Sequence, residues 1–172
     1  MRRAGTWAPA CWLALLLWAC AASAGEEWIS GRVVAVTDGD TAVVETGNRR
    51  SLRVRFYGVD APEHETRDWP AQPYSAAAHR FMRGLIGDRQ VAVRLTGART
   101  YGREVGEVFV DGRSASRELL RAGLGWWNRK YAAQDSDLAR LHEAARAARA
   151  GLWRDARPVP PWVHRARHRA SR

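Results

Sequence analysis

Residues 28–36, "WISGRVVAV", are apolar and β-branched, the composition of a strand. Asp38-Gly39 is a strong hairpin signal, and residues 41–46 make the returning strand before Gly47-Asn48 turns the chain again. Residues 51–59 then alternate, with Leu52, Val54 and Phe56 on one face and Arg53, Arg55 and Tyr57 on the other. Three successive strands therefore predict a meander. Residues 64–73, "HETRDWPAQP", mix charges with two prolines and read as a loop. From Tyr74 to Ile86 the period becomes helical, with Ala77, Phe81 and Leu85 on the apolar stripe and Gly87 as its stop. Residues 90–95 and 104–110 supply a fourth and a fifth strand, the latter ending at the turn Asp111-Gly112. Ser114 can cap a helix that carries Leu119-Leu120 and stops at Gly123, and a last helix runs from about 136 to 150, before Gly151.

Five short strands with few residues to spare must avoid open edges. The pattern predicts an α+β chain: a five-stranded, OB-type Greek-key β-barrel with three α-helices. One domain over residues 25–157 accommodates these elements. Residues 158–172, "PVPPWVHRARHRASR", form a proline-rich and then basic tail, docked at its start and frayed at its end.

The first residues add a compartment. Arg2 and Arg3 precede an uncharged stretch from Ala4 to Gly25, and Ala22-Ser23-Ala24 offers small residues for cleavage, so residues 1–24 read as a secretory signal. A retained membrane anchor or a lipoprotein site at Cys20 are the alternatives. The expected location is secreted or periplasmic, with no stable membrane insertion after cleavage. Cys11 and Cys20 both lie in this segment, so the processed chain would have neither disulfide nor thiolate metal site. The formal net charge is +10, and all basic residues except Lys130 are arginine. Such an excess suits a polyanionic partner, and arginine suits bidentate phosphate contacts, although an alanine- and arginine-rich composition is a plainer source of the same excess.

Candidate chemistry lies in "DGDT" (38–41) and "VDAPE" (59–63). Taken singly, Asp38, Asp40, Asp60 and Glu63 are ordinary turn and loop residues, and Arg55 is half of a surface ion pair. Taken together, Asp40 opens the second strand and Asp60 closes the third, so antiparallel pairing brings both carboxylates to one sheet edge. Two carboxylates and a backbone carbonyl are oxygen donors that suit a hard cation such as Ca²⁺ and leave room for water and a phosphate oxygen. Glu63 follows around a proline-stiffened bend, and Arg55 precedes Asp60 on the same strand.

These pieces, followed by "YGRE" (101–104), "EVFVDG" (107–112), "LLRAGLGW" (119–126) and "GLWRD" (151–155), resemble the staphylococcal nuclease-like, or thermonuclease, family over about residues 28–155. The resemblance implies Ca²⁺ held by Asp40, Asp60 and the backbone carbonyl of Ala61. It implies Glu63 as general base or water-orienting group, and Arg55 and Arg103 as the phosphate-gripping arginines. The implied reaction is hydrolysis of DNA and RNA phosphodiesters, single strands preferred, leaving 3′-phosphate ends, by a monomer. Tyr101 and Tyr131 are candidates for contact with the bases, and packing is the alternative for each. Arg99-Thr100 stand where relatives often have an acidic and then a basic residue, and Arg129 stands where an aromatic is known.

Two other classes remain. A non-catalytic nucleic-acid-binding barrel is the first, against which the full set Asp40, Asp60, Glu63, Arg55 and Arg103 argues. An envelope-associated protein is the second, its tail arginines touching anionic lipid or polysaccharide. On the nuclease reading, removal of residues 163–172 should weaken substrate binding and leave the chemistry unchanged.

Overall fold

A computed structural model describes residues 27–67 and 69–170. The expected signal segment, with both cysteines, lies outside them. Among the described residues no helix is long and apolar enough to cross a membrane.

The meander is present as β1 (Glu27–Asp38), β2 (Thr41–Thr46) and β3 (Ser51–Phe56). A long hairpin, β5 (Gln90–Thr100) and β6 (Arg103–Val110), follows the first helix. The sheet order is β3-β2-β1-β5-β6, and β3 and β6 pair in parallel through Val54↔Glu104, Arg55↔Val105 and Phe56↔Gly106. That last pairing joins the two ends of the sheet and closes a five-stranded barrel of the OB type, removing the open edges. The first half of β1 pairs with β5 and its second half with β2, where two shifts of register interrupt the ladder. Val33, Val44, Val54, Phe56, Val93 and Val108 are buried in the interior.

Helix α1 (Ser75–Ile86) packs on β1 with Ala78, Met82 and Ile86 fully buried. This ridge lies one residue beyond the expected Ala77, Phe81 and Leu85, which flank it. An apolar stripe wider than one ridge does not say which row points inward. Helices α2 (Ala115–Arg121) and α3 (Ser136–Ala147) pack together, and Ser114 caps α2 by accepting from the Arg117 N–H. A short 3₁₀ turn, Gly151–Arg154, then returns to the end of α2. There Gly123 O accepts from the Leu152 N–H at 2.9 Å, and a Cβ on Gly123 would stand 2.3 Å from Ala150 O. The motifs "LLRAGLGW" and "GLWRD" therefore meet in space.

Two expectations change. Residues 51–59 are not one strand: Tyr57-Gly58 turns the chain, and β4 (Val59–Asp60) pairs with β8 (Trp126–Trp127) in a separate two-stranded sheet. The remaining short strand, β7 (Arg113–Ser114), continues the main sheet beyond β6. The tail, expected to be docked at its start and frayed at its end, instead continues as a helix: residues Pro161–Ala170 form α4, in addition to the three helices expected. Pro161 suits a first helical position, where no N–H is needed, and the Val163 and His164 N–H groups bond Pro160 O at 3.0 Å.

Candidate active site

Asp38 pairs with Thr41 across the β1–β2 hairpin, so the turn residues are Gly39 and Asp40. The Asp38 carboxylate accepts from the Asp40 N–H at 3.0 Å, an Asx-type bond that fixes the tip. A Cβ on Gly39 would lie 2.7 Å from both Ala61 Cβ and Ala78 Cβ, so only glycine lets the tip press against α1 and the segment after β4. The Asp40 side chain thereby points inward and is 2 % exposed. Its Oδ2 accepts from the Ala61 N–H at 2.6 Å, and its Oδ1 accepts from Thr41 Oγ1 at 3.2 Å and from Arg55.

Arg55 faces Thr41 in the β2–β3 register, which sets its guanidinium beside the turn. It donates through Nη1 to Asp40 and through Nη2 to Asp60 Oδ1 at 2.5 Å and Val59 O at 3.3 Å. Asp60 is fully buried, held by the β4–β8 pairing opposite Trp126. Two carboxylates, one from a turn and one from strand β4, are thus joined through one cation. Burial, with the carboxylates of Asp38 and Asp60, pushes Asp40 well above the usual carboxylate range, against the pull of Arg55 and the Ala61 N–H. Burial also works against the charge on Arg55, yet Asp40 and Asp60 outweigh it and hold this guanidinium more firmly protonated than usual.

Arg103 follows the tight Tyr101-Gly102 turn, both residues of which have positive φ, as hairpin tips of this kind require. Its Nη1 donates to Thr41 Oγ1 at 3.2 Å, which brings it from far along the chain to the residue after Asp40. Partial burial and the neighbouring charge of Arg55 lower its pKa. Glu63 is fixed through its backbone, its N–H donating to Gln72 Oε1 and its carbonyl accepting from the Gln72 N–H, each at 2.9 Å. Tyr101 and Tyr131 are 89 % and 67 % exposed, rings in solvent rather than core packing.

The expected residues Asp40, Arg55, Asp60, Glu63 and Arg103 therefore gather at one face of the barrel, together with one that sequence reasoning missed. Arg165, on α4, donates to Asp60 Oδ2 at 2.8 Å and Oδ1 at 3.3 Å, and also to Glu63 Oε1. This contact places one residue of the tail 163–172, expected to serve binding and not chemistry, directly against Asp60 and Glu63. No spacing rule separates Arg165 from the solvated basic residues around it, and only the packing of α4 singles it out. Sequence reasoning also missed Glu107, fully buried on β6 and bound by Arg94 at 2.7 Å, Ser114 at 2.7 Å and Arg117. An acid flanked by Gly106 and Val108 inside a strand was the signal available.

Among the described residues no group of three or more His, Cys, Asp or Glu is arranged to hold a metal ion. Asp40 and Asp60 nonetheless fit a hard cation in donor chemistry, since both offer buried carboxylate oxygens.

A β-barrel with carboxylates and arginines converging at one face defines a candidate phosphate-handling site. The family model of the staphylococcal nuclease homologue matches residues 53–155. An uncharacterized endonuclease of Escherichia coli O157:H7 is 38 % identical over 140 residues, covering 81 % of this chain and 86 % of that protein. Protein ParB of Escherichia coli is 33 % identical over 147 residues, 80 % of this chain and 79 % of its own. The staphylococcal-like nuclease CAN1 of Arabidopsis thaliana is 30 % identical over 124 residues, 71 % of this chain and 36 % of its own. The chain belongs to the staphylococcal nuclease-like family.

Proposed function

We propose that this protein is a secreted or periplasmic, Ca²⁺-dependent nuclease that hydrolyses phosphodiesters of DNA and RNA. Single strands are preferred, 3′-phosphate ends are left, and the enzyme works as a monomer. The observation that carries the reading is the convergence of Asp40, Asp60 and Glu63 with Arg55 and Arg103 from four separate segments.

Asp40, Asp60 and the carbonyl of Ala61 would hold the cation. When bound, Ca²⁺ supplies charge neutralisation at a non-bridging phosphate oxygen. Glu63 orients a water and accepts its proton as the water oxygen bonds to phosphorus. The phosphorus–5′ oxygen bond breaks in line, that oxygen takes a proton from solvent, and Glu63 returns its proton to solvent. Arg55 and Arg103 face the extra negative charge of the five-coordinate transition state. Preorganised donors of this kind contribute about 3–4 kcal/mol each. The firm protonation of Arg55 keeps its charge constant through the cycle. Tyr101 and Tyr131 offer exposed rings on which unpaired bases can stack, which favours single strands.

The test is degradation of heat-denatured DNA by the purified protein with calcium and with chelator, followed by analysis of the ends. Calcium-dependent cleavage to 3′-phosphates is expected. Binding without cleavage would make the protein a nucleic-acid-binding barrel instead.

A further inference from the structure

Helix α4 is anchored where it can reach the site. His164 Nε2 lies 3.0 Å from Pro70 O, and Gln72 Nε2 donates to Val159 O at 3.0 Å, so both sides of its entry are tied to the loop after Glu63. The Trp162 ring meets Trp126 edge-on at 5.9 Å, and Trp126 is the residue paired with Asp60. From this footing Arg165 occupies both oxygens of the buried Asp60 and one oxygen of Glu63. Arg55 and Arg103 enter from the barrel itself, whereas Arg165 enters on a segment tied through Val159 O and His164 to the loop after Glu63.

We propose that α4 is an autoinhibitory strap, with Arg165 as a tethered cation that competes with calcium for Asp60 and withholds Glu63 from water. The proposal rests on the nuclease reading of this site. A guanidinium bonded to both oxygens of Asp60 competes, in charge and in lone pairs, with a divalent ion at that carboxylate. A Glu63 oxygen accepting from Arg165 is likewise not free to orient a nucleophile. Calcium and the strap are therefore linked, and each weakens the other by the same factor. Incoming nucleic acid offers Arg165, and the neighbouring Arg169, alternative anionic partners, so substrate favours the open state.

The test is calorimetric titration of calcium, without nucleic acid, into the full wild-type protein, Arg165→Gln and Arg167→Gln. Arg167 is exposed on the same helix, so its replacement changes the net charge equally while leaving the strap contact intact. Competition by Arg165 predicts that Arg165→Gln binds calcium about tenfold more tightly than wild type, within the usual range of linked sites, and that Arg167→Gln matches wild type. In wild type, hydrogen exchange at residues 161–170 should quicken when calcium is added, a reading that does not depend on any variant folding. Equal or weaker affinity in Arg165→Gln, an equal gain in Arg167→Gln, no calcium binding by any of the three, or unchanged exchange in α4 would each overturn the proposal. Tighter calcium binding by Arg165→Gln without cleavage by any of the proteins would uphold the strap and remove the assigned activity.

Discussion

Arg55 holds together two carboxylates that burial and mutual repulsion would otherwise drive apart. Truncation leaves Asp40 without its cation, and breaking a buried pair in this way costs about 3–5 kcal/mol. Arg55→Ala should therefore lose stability on that scale in urea unfolding, and a loss below about 1 kcal/mol would show the pair to be energetically minor. Gly39 acts through space rather than charge. A methyl group there would overlap Ala61 and Ala78, so Gly39→Ala should cost about 1–3 kcal/mol as an overpacked contact. Because the tip carries Asp40, the same variant should also bind calcium more weakly. Stability lost with calcium affinity intact would mean that the tip adjusts without moving Asp40.

At the scale of elements, the five barrel strands and the first three helices were legible because period, turn chemistry and capping agreed along each of them, whereas the two-residue strands β4, β7 and β8 carry no period to read. Ser114, Gly123 and the alternation around Val54 each marked an element correctly. What could not be read was pairing between distant segments. The hairpin edge explained Asp40 and Arg55, but Asp60 owes its place to β8, which two tryptophans far along the chain provide. Helix α4 was hidden for a related reason: a basic run after prolines looks solvated until Gln72 and Pro70 are found beside it. His142 supports the same region, its Nδ1 accepting from the Trp127 N–H at 3.1 Å, and burial lowers its pKa below the ordinary 6.5. A histidine depressed on folding takes up fewer protons in the folded state. Its stabilising contribution is therefore complete above pH 6.5 and is lost as pH falls toward the depressed value. His142→Asn should flatten the fall in melting temperature between about pH 7 and 5, and an unchanged slope would assign that fall to other groups.

Across the whole molecule, a formal charge of +10 over the full chain, with exposed tyrosines on the barrel, suits a flexible polyanion. Phosphate contacts release counterions, so affinity for single-stranded DNA in chelator should fall linearly with salt on logarithmic axes, by about 0.7 in slope for each phosphate neutralised. Arg103→Ala should reduce that slope by about one contact, and affinity independent of salt would contradict a phosphate-led interface. The barrel's parallel β3–β6 closure sets Arg55 beside the strand that Arg103 opens, and its turns bring in the carboxylates. Global topology thus makes one site of residues scattered along the chain.

The most direct measurement is the cleavage rate of single-stranded DNA at saturating calcium by wild type and Glu63→Gln. The amide keeps the size of the side chain and removes its ability to accept a proton. A rate lower by about 10²–10⁴-fold is the expected result for loss of a general base. Undiminished cleavage by Glu63→Gln would contradict the assignment of the chemistry to this site.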